Sequence, residues 1–281
     1  MRLILAFGLA CLVSALAEPA EITRSYHEQI GIPEAARIRA AEEMAKDVQT
    51  QERIVGGSLA PANEHPYLAG LLIDLVGTSS ISVCGATLLS NNRLVTAAHC
   101  WYDGRMQAWR FTVVLGTLTL FTGGTRVPRS KSSCMDRGTR LPLIWIFSDS
   151  IAPLALPEGF ELFLTFEGQV AVAAGYGRTS DQQTGISNSA AASHVSLRII
   201  TSLECQATYG FQVTQWHICT SGLGGVGICG GDSGGPLVIN SFGRRILIGV
   251  TSFTAQAGCQ IGFPSGYTRT TSYINFINQH L

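Results

Sequence analysis

The chain has 281 residues, of which 46% are hydrophobic and 14% charged, and its formal net charge is zero. This composition predicts a folded protein with a core and excludes a chain that is mainly disordered. A nucleic-acid partner is not expected, because nucleic-acid-binding proteins carry a basic surface of one sign. A membrane partner is not expected either, since the longest apolar run, residues 3–13, is shorter than the roughly 20 residues of a membrane-spanning helix.

The first 17 residues have the parts of a secretory signal in the expected order. Arg2 supplies a positive start, residues 3–13 an apolar middle, and Ala15 and Ala17 the small residues of the cleavage site. A buried N-terminal strand is the alternative. Cleavage after Ala17 would leave seven of the eight cysteines in an oxidising compartment, where disulfides persist. The sequence therefore predicts a secreted, extracellular protein.

Residues 18–53 differ in charge from the rest of the chain. They contain eight acidic and five basic residues, a net charge of −3. Pro33 and Glu34 stand in the first turn of one predicted helix that extends to Lys46 and has no aromatic residue to anchor it in a core. We interpret the segment as a detachable pro-segment; a regulatory interaction helix is the alternative.

From residue 54 onward the sequence has the pattern of an all-β protein. Short runs rich in β-branched and aromatic residues are separated by turn residues, and they include 111–115, 169–173 and 246–250. Only the C-terminal stretch shows a helical spacing of three and four, at Ile274, Ile277 and Leu281. We therefore expect a β-barrel or β-sandwich that ends in a short helix.

The first motif of this region is Arg-Ile-Val-Gly-Gly at 53–57. A cut after Arg53 would create an ammonium group on Ile54. Such a charge can be buried only if it meets a carboxylate. An ordinary strand start is the alternative for this pentapeptide alone.

A second motif, Thr-Ala-Ala-His-Cys at 96–100, places the imidazole of His99 beside a cysteine. A histidine with a pKa near neutrality can take a proton from a hydroxyl and return it to a leaving group. A structural role is the more common one for a lone histidine.

The third motif is Gly-Asp-Ser-Gly-Gly-Pro-Leu at 231–237. Its glycines allow a tight bend from which Ser233 would project as a candidate nucleophile. The amides of Gly231 and Ser233 would then face a developing oxyanion, and each such donor contributes about 2.7 to 4 kcal/mol in measured cases. A plain glycine-rich turn is the alternative.

In this order, the three motifs resemble those of the chymotrypsin-like (trypsin-family) secreted serine proteases. The resemblance covers nearly all of 54–281, and the stretches 99–104 and 174–181 are similar to insect digestive chymotrypsins, especially those of moths. It implies an all-β fold of two antiparallel six-stranded β-barrels with a C-terminal helix and the site between the barrels. It also implies a monomer without a cofactor or metal that acts on protein or peptide substrates, here in the gut lumen.

The resemblance gives each matched residue a role. His99 would be the general base and Ser233 the nucleophile, and the amides of Gly231 and Ser233 would form the oxyanion hole. Asp232 would pair with the ammonium that a trypsin-like activating protease frees on Ile54.

Six cysteines match the disulfide pattern of the family. Six cysteines allow fifteen pairings, of which the resemblance selects Cys84–Cys100, Cys205–Cys219 and Cys229–Cys259. Cys134 has no counterpart in that pattern.

The resemblance also locates a specificity pocket. The residue six before the nucleophile would form its floor, and here it is the uncharged Gly227. Thr254 and Ser265 would line the walls. A preference for lysine or arginine substrates is therefore not expected, and medium-sized apolar side chains are favoured.

One family feature has no match in the sequence. The family orients its histidine with an aspartate in an apolar strand, and no acid between His99 and Ser233 lies in such a strand. Residues 130–142 stand near its place, and they are polar and contain Cys134. Asp136 is the substitute closest to the expected position, but its surroundings are typical of a turn. The first barrel is therefore predicted to be incomplete.

A frame change would explain this segment. Codons that encode residues 131–140 also encode, in another frame, the peptide Val-Val-Met-His-Gly-Ser-Trp-Asn-Pro that moth enzymes carry there. Our hypothesis is an out-of-frame stretch over about 130–145. Two functions follow from the whole sequence: a serine endopeptidase that cleaves after uncharged apolar residues, or an inactive homologue that binds a partner in the retained cleft.

Overall fold

The computed structural model describes residues 18–22, 25–45, 58–130, 150–181 and 191–281. The predicted signal at 1–17, the bond between Arg53 and Ile54, and the atypical segment with Cys134 and Asp136 lie outside these residues. No helix in the described ranges is both long and apolar enough to cross a membrane.

Seven strands form a C-terminal sheet in the order β1-β8-β7-β10-β11-β12-β9. They are β1 (Ser58–Leu59), β7 (Val170–Gly175), β8 (Ser193–Ile200), β9 (His217–Thr220), β10 (Pro236–Ser241), β11 (Arg244–Phe253) and β12 (Ser265–Arg269). The pairing of β8 with β9 closes six of them into a barrel, and β1 adds to its outside. All of these pairings are antiparallel, so the predicted six-stranded barrel is confirmed.

The N-terminal sheet has five strands in its described part, in the order β4-β3-β2-β5-β6. They are β2 (Leu68–Leu75), β3 (Ile81–Ser90), β4 (Arg93–Val95), β5 (Ala108–Leu115) and β6 (Thr125–Ser130). The sheet is antiparallel and open, so it is a half-barrel rather than a closed one. The prediction of an incomplete first barrel is confirmed.

Three α-helices and several short turns of helix complete the described residues. The α-helices are α1 (Ile32–Ala45), α2 (Ser202–Tyr209) and α3 (Ile274–Gln279). A π-helix at His27–Gly31 runs directly into α1, and 3₁₀ turns occupy Ala98–Cys100, Gly159–Phe163, Gly210–Gln212 and Thr270–Tyr273. The predicted C-terminal helix is therefore confirmed.

Each sheet has its own apolar core. Leu71, Ile73, Leu88 and Leu115 are fully buried in the N-terminal half-barrel. Ile199, Leu237, Ile248 and Tyr267 fill the C-terminal barrel. The strand periodicity explains both cores, because alternate residues of a strand point to the same face.

The three disulfides implied by the resemblance are present: Cys84–Cys100, Cys205–Cys219 and Cys229–Cys259. The first joins β3 to the turn that carries His99. The third joins Cys229, in the loop before Ser233, to Cys259, in the loop between β11 and β12. Two of the cross-links thus hold the elements that carry the candidate catalytic residues.

The sequence-based expectation of a helix without anchorage in a core was wrong. Ile38 and Ala41 of α1 are 1% and 0% exposed, and Ile38 belongs to an apolar cluster with side chains from both barrels, including Val114 of β5 and Ala174 of β7. The aromatic residue that anchors the segment, Tyr26, precedes the predicted helix. The segment is therefore an integral part of the described structure.

Candidate active site

His99 and Ser233 approach each other from different barrels. His99 lies in the 3₁₀ turn that follows β4, and Ser233 lies in the loop that precedes β10. Both line one cavity of about 70 Å³, together with the aromatic rings of Tyr26 and Phe253. The structure thus brings the two predicted catalytic side chains to one site between the barrels.

Backbone hydrogen bonds fix the bend that presents Ser233. The carbonyl of Ser233 accepts from the amide of Gly85 on β3 at 2.7 Å, and the amide of Gly234 donates to the carbonyl of Thr251 at 2.8 Å. The first bond crosses between the two barrels. Because both neighbouring strands hold this loop, its position depends on the packing of one barrel against the other.

His99 and Ser233 are not hydrogen-bonded to each other in the described residues. Nε2 of His99 is buried and has no hydrogen-bond partner among the described residues. The ring of Tyr26 lies 4.6 Å from the ring of His99, and its hydroxyl donates to the carbonyl of Val83 at 2.8 Å. Tyr26, from the segment that precedes the two barrels, therefore lines the same cavity as the two candidate catalytic side chains.

The environment of His99 disfavours its protonated form. Burial, together with the nearby His27, lowers the pKa of His99 to about 4, while Asp103 acts in the opposite direction. An imidazole in this state stays neutral at physiological pH. It is a proton acceptor whose surroundings would have to change before it could hold a proton as imidazolium.

Asp103 is the described carboxylate that favours protonation of His99. Partial burial raises the pKa of Asp103, but the backbone amides of Met106, His27 and Arg105 together outweigh that effect and lower it. Its oxygens thus bind amides at 2.8 to 2.9 Å. Since no hydrogen bond joins it to His99 in the described residues, it does not stand in for the orienting aspartate of the family.

Asp232 is buried, with 2% of its surface exposed. Its two carboxylate oxygens accept from the amides of Gly177 and Cys229, each at 2.9 Å. No basic side chain of the described residues forms an ion pair with it. Burial raises the pKa of Asp232 to about 6, although the hydrogen bonds from the two amides act to lower it. A buried carboxylate in this position is a site for an incoming cation.

The predicted pocket residues lie in two layers. Thr254 lines the cavity with Ser233. Ser265 is buried and accepts a hydrogen bond from the amide of Ile228, next to Gly227, at 3.3 Å. Neither Gly227 nor Ser265 lines the cavity, so the structure brings one of the three residues to its surface and places the other two behind it.

Two packed antiparallel β-barrels with a histidine and a serine at one cavity between them define the chymotrypsin-like class of proteins. The family model described as Trypsin matches residues 54–277. The chain therefore belongs to the trypsin family, and it is a serine endopeptidase by family. Residues 18–53, with their buried helix, lie outside the matched range.

The chain is similar to several known proteins. It is 34% identical to brachyurin of Leptuca pugilator, over 80% of this chain and 96% of the relative. It is 33% identical to a collagenase of Hypoderma lineatum, over 81% of this chain and 87% of the relative. A solved structure of HL collagenase superposes with a TM-score of 0.69 at 31% identity and covers 80% of this chain and 97% of that one.

Proposed function

We propose that the chain is a secreted zymogen of a serine endopeptidase that cleaves after uncharged apolar residues. Residues 1–17 are its signal peptide, 18–53 its activation pro-segment and 54–281 its chymotrypsin-like protease domain. The observation that carries the proposal is the shared cavity of His99 and Ser233 between the barrels. The digestive setting in a gut lumen rests on the sequence resemblance alone.

The proposed reaction uses these two side chains in turn. The Ser233 hydroxyl oxygen attacks the scissile carbonyl, and His99 takes the hydroxyl proton and passes it to the leaving amine. Water then loses a proton to His99 as its oxygen bonds to the acyl carbon; the ester bond to Ser233 breaks, the acid leaves, and His99 returns the proton to the Ser233 oxygen. The amides of Gly231 and Ser233 are the proposed donors to the oxyanion. In the described residues neither amide donates to a backbone carbonyl.

Asp232 supports activation by a cut after Arg53. The carboxylate is buried and forms no ion pair among the described residues, and an ionic partner would strongly stabilise its charged form. The ammonium freed on Ile54 would supply that partner. The proposed activating protease is trypsin-like, because the residue before the cut is arginine.

A reversal of pH dependence on cleavage would test this pairing. In the uncut chain the folded-state pKa of Asp232, about 6, lies above that of the unfolded chain, so its stabilising contribution is full below about pH 4 and is lost as pH rises through 6. We expect the free energy of unfolding of the uncut chain to fall between pH 4 and 7.5 by about 2 to 3 kcal/mol relative to Asp232→Asn.

After the cut, an ammonium would lower the pKa of Asp232 below its unfolded value. The contribution of Asp232 should then be full and nearly constant above about pH 5, and it should be lost only as pH falls below the unfolded pKa of about 4. Urea unfolding of both proteins, cut and uncut, across this pH range measures the difference. The same slope before and after the cut would contradict a pairing of Ile54 with Asp232.

The substrate preference is supported by the chemistry of the pocket residues. Gly227 and Thr254 carry no charge, so a substrate lysine or arginine would find no counter-ion from them. Thr254 adds bulk at the cavity surface, which favours medium-sized apolar side chains over the largest aromatics. A panel of peptide substrates that differ only in the residue before the cut would rank these preferences.

A second candidate is a protease homologue that binds peptides without cleaving them. It is favoured by the absence of any described carboxylate that is hydrogen-bonded to His99. Retention of both His99 and Ser233 favours the enzyme.

Labelling with a fluorophosphonate, which reacts with activated serines, would distinguish the two candidates. The chain would begin at residue 18 and carry the recognition sequence of enteropeptidase at 49–53, so that the cut leaves Ile54 as the new terminus. We expect labelling and peptide turnover after the cut, and neither in Ser233→Ala. A folded, cut chain that is not labelled would support the binding homologue.

A further inference from the structure

The N-terminal part of the pro-segment runs along the rim of the candidate active site. The amide of Ala20 donates to the carbonyl of Thr208 at 2.8 Å. Ile22 forms an antiparallel bridge with Ala255, and the amide of Gln256 donates to the carbonyl of Glu21 at 2.8 Å. Residues 255–256 follow directly on the cavity-lining Thr254. The segment therefore enters the groove beside the proposed pocket.

Tyr26 then closes the catalytic centre. The residue is 5% exposed, its hydroxyl donates to the Val83 carbonyl at 2.8 Å, and it lines the same cavity as Ser233. Its ring covers that of His99 at 4.6 Å. A substrate carbonyl would have to come within about 3 to 3.5 Å of the Ser233 oxygen to react, and the Tyr26 side chain occupies the approach.

His27 fixes the chain immediately after Tyr26. It is fully buried, its Nδ1 lies 2.9 Å from Oγ of Ser82, and its amide donates to Asp103 at 2.8 Å. Gly31 packs so closely on Ser82 that a Cβ at this position would collide with the serine oxygen. The helix backbone can therefore approach β3 only because residue 31 is glycine.

Helix α1 extends the contact across both barrels. Glu34 forms ion pairs with Arg37 and with Arg178 of the C-terminal barrel, each at 2.8 Å. Glu42 accepts hydrogen bonds from three consecutive residues that follow β5: the amides of Leu120 and Phe121 and, at 2.8 Å, the hydroxyl of Thr122. These polar contacts with the protease domain are additional to the apolar packing of Ile38.

The conformation of the segment is that of an inhibitor rather than a substrate. From His27 to Ala45 the backbone is helical, so its carbonyls are engaged in hydrogen bonds within the segment. The group that meets Ser233 is the phenol of Tyr26 and not a peptide carbonyl. Ser233 therefore has no peptide bond to attack in this segment.

We propose that residues 18–45 are a helical inhibitor of this protease, held in the active-site groove by Tyr26, His27 and Glu42, and that they go on binding the domain after the cut. The inference rests on the proposed function. It adds a second means of regulating the protease, one that does not depend on the ammonium of Ile54. The groove is a binding surface for a helix of this chemistry: an aromatic plug followed by an acidic, alanine-rich face.

The test uses the chain cut at position 53, with both pieces left together in solution. Native mass spectrometry should show the two pieces as one complex, although no disulfide joins them in the described residues. Dilution should raise the rate of fluorophosphonate labelling. Added synthetic peptide 18–45 should lower that rate by about tenfold or more.

Two peptide variants make the test specific. Tyr26→Ala removes the plug, and we expect its inhibition constant to be weaker by about tenfold or more, as for a buried aromatic anchor. Arg39→Ala is the matched control, because that side chain is 61% exposed and pairs only with Glu43 on its own helix. It should inhibit like the parent peptide.

The outcomes separate the two proposals. If the pieces part at once and the added peptide leaves labelling unchanged, the inhibitor inference is wrong, whatever the enzyme does. If Tyr26→Ala inhibits as strongly as the parent peptide, the proposed plug is wrong. If the pieces stay together but Ser233 is labelled under no condition, the endopeptidase proposal fails, while binding of the helix is upheld by the mass spectra.

Discussion

Replacing Ser233 by alanine in the cut chain should lower kcat/KM for a peptide substrate by about 10²-fold. In a serine protease with a complete triad, loss of the serine or histidine lowers turnover by about 10⁶, loss of the aspartate alone by about 10⁴, and these losses are not additive. No described carboxylate is hydrogen-bonded to His99, so the chain is expected to lack the share of the rate that the aspartate provides. The loss expected for Ser233→Ala is therefore about the ratio of the two effects, 10⁶ to 10⁴. His99→Ala should have the same effect, and the double variant should lose no more.

The size of the loss thus reports on the residues around His99. Ser79→Ala in the exposed turn between β2 and β3 is the matched control and should keep full activity. A loss near 10⁶ for Ser233→Ala would show that a carboxylate does orient His99, with Asp136 as the first candidate. No loss at all would contradict the assignment of Ser233 as nucleophile.

Gly234→Ala is expected to destabilise the uncut chain by about 3 kcal/mol or more. Gly234 has φ +85°, and a Cβ there would collide with the carbonyl of Gly85 and with Oγ1 of Thr96, which itself donates to that carbonyl at 2.7 Å. The left-handed backbone alone costs alanine about 1 to 2 kcal/mol. Forcing a methyl group into packed surroundings adds about 1 to 3 kcal/mol.

Gly243→Ala separates the two effects. Gly243 has nearly the same φ, +80°, but a Cβ there would meet nothing within 4 Å. We expect a loss of about 1 kcal/mol at this position. Urea unfolding of both variants gives the comparison, and equal losses would show that the loop after Ser233 yields easily. That result would weaken the argument that packing between the barrels positions the nucleophile.

The strands could be predicted from sequence because they rest on local signals, whereas the disulfide pairs were implied by the family resemblance. Residues 111–115 and 246–250 are runs rich in β-branched and aromatic residues, and they lie in β5 and β11. His99 and Ser233 stand in short motifs whose chemistry can be inferred before any fold is known. Their meeting at one cavity follows from the two-barrel architecture, which the family resemblance supplied.

The contacts of residues 18–45 could not be predicted in the same way. The buried residues of α1 are two alanines, two glutamates and a single isoleucine, so the helix carries little apolar signal of its own. Tyr26 and Glu42 act on residues 57 and 78 positions away, the carbonyl of Val83 and the amide of Leu120. Such partners are set by tertiary structure alone. The same holds for Asp232, whose raised pKa reflects burial that the sequence does not show.

The outer strand β6 has a consequence for behaviour at high concentration. In the described residues it pairs with β5 alone, which leaves a row of backbone groups at the margin of the half-barrel. Pro128 cannot donate to an added strand, and Arg126 and Arg129 place positive charge on either side of it. Copies of the chain should therefore resist joining sheet to sheet, and a concentrated solution of this protein should remain free of fibrous aggregates.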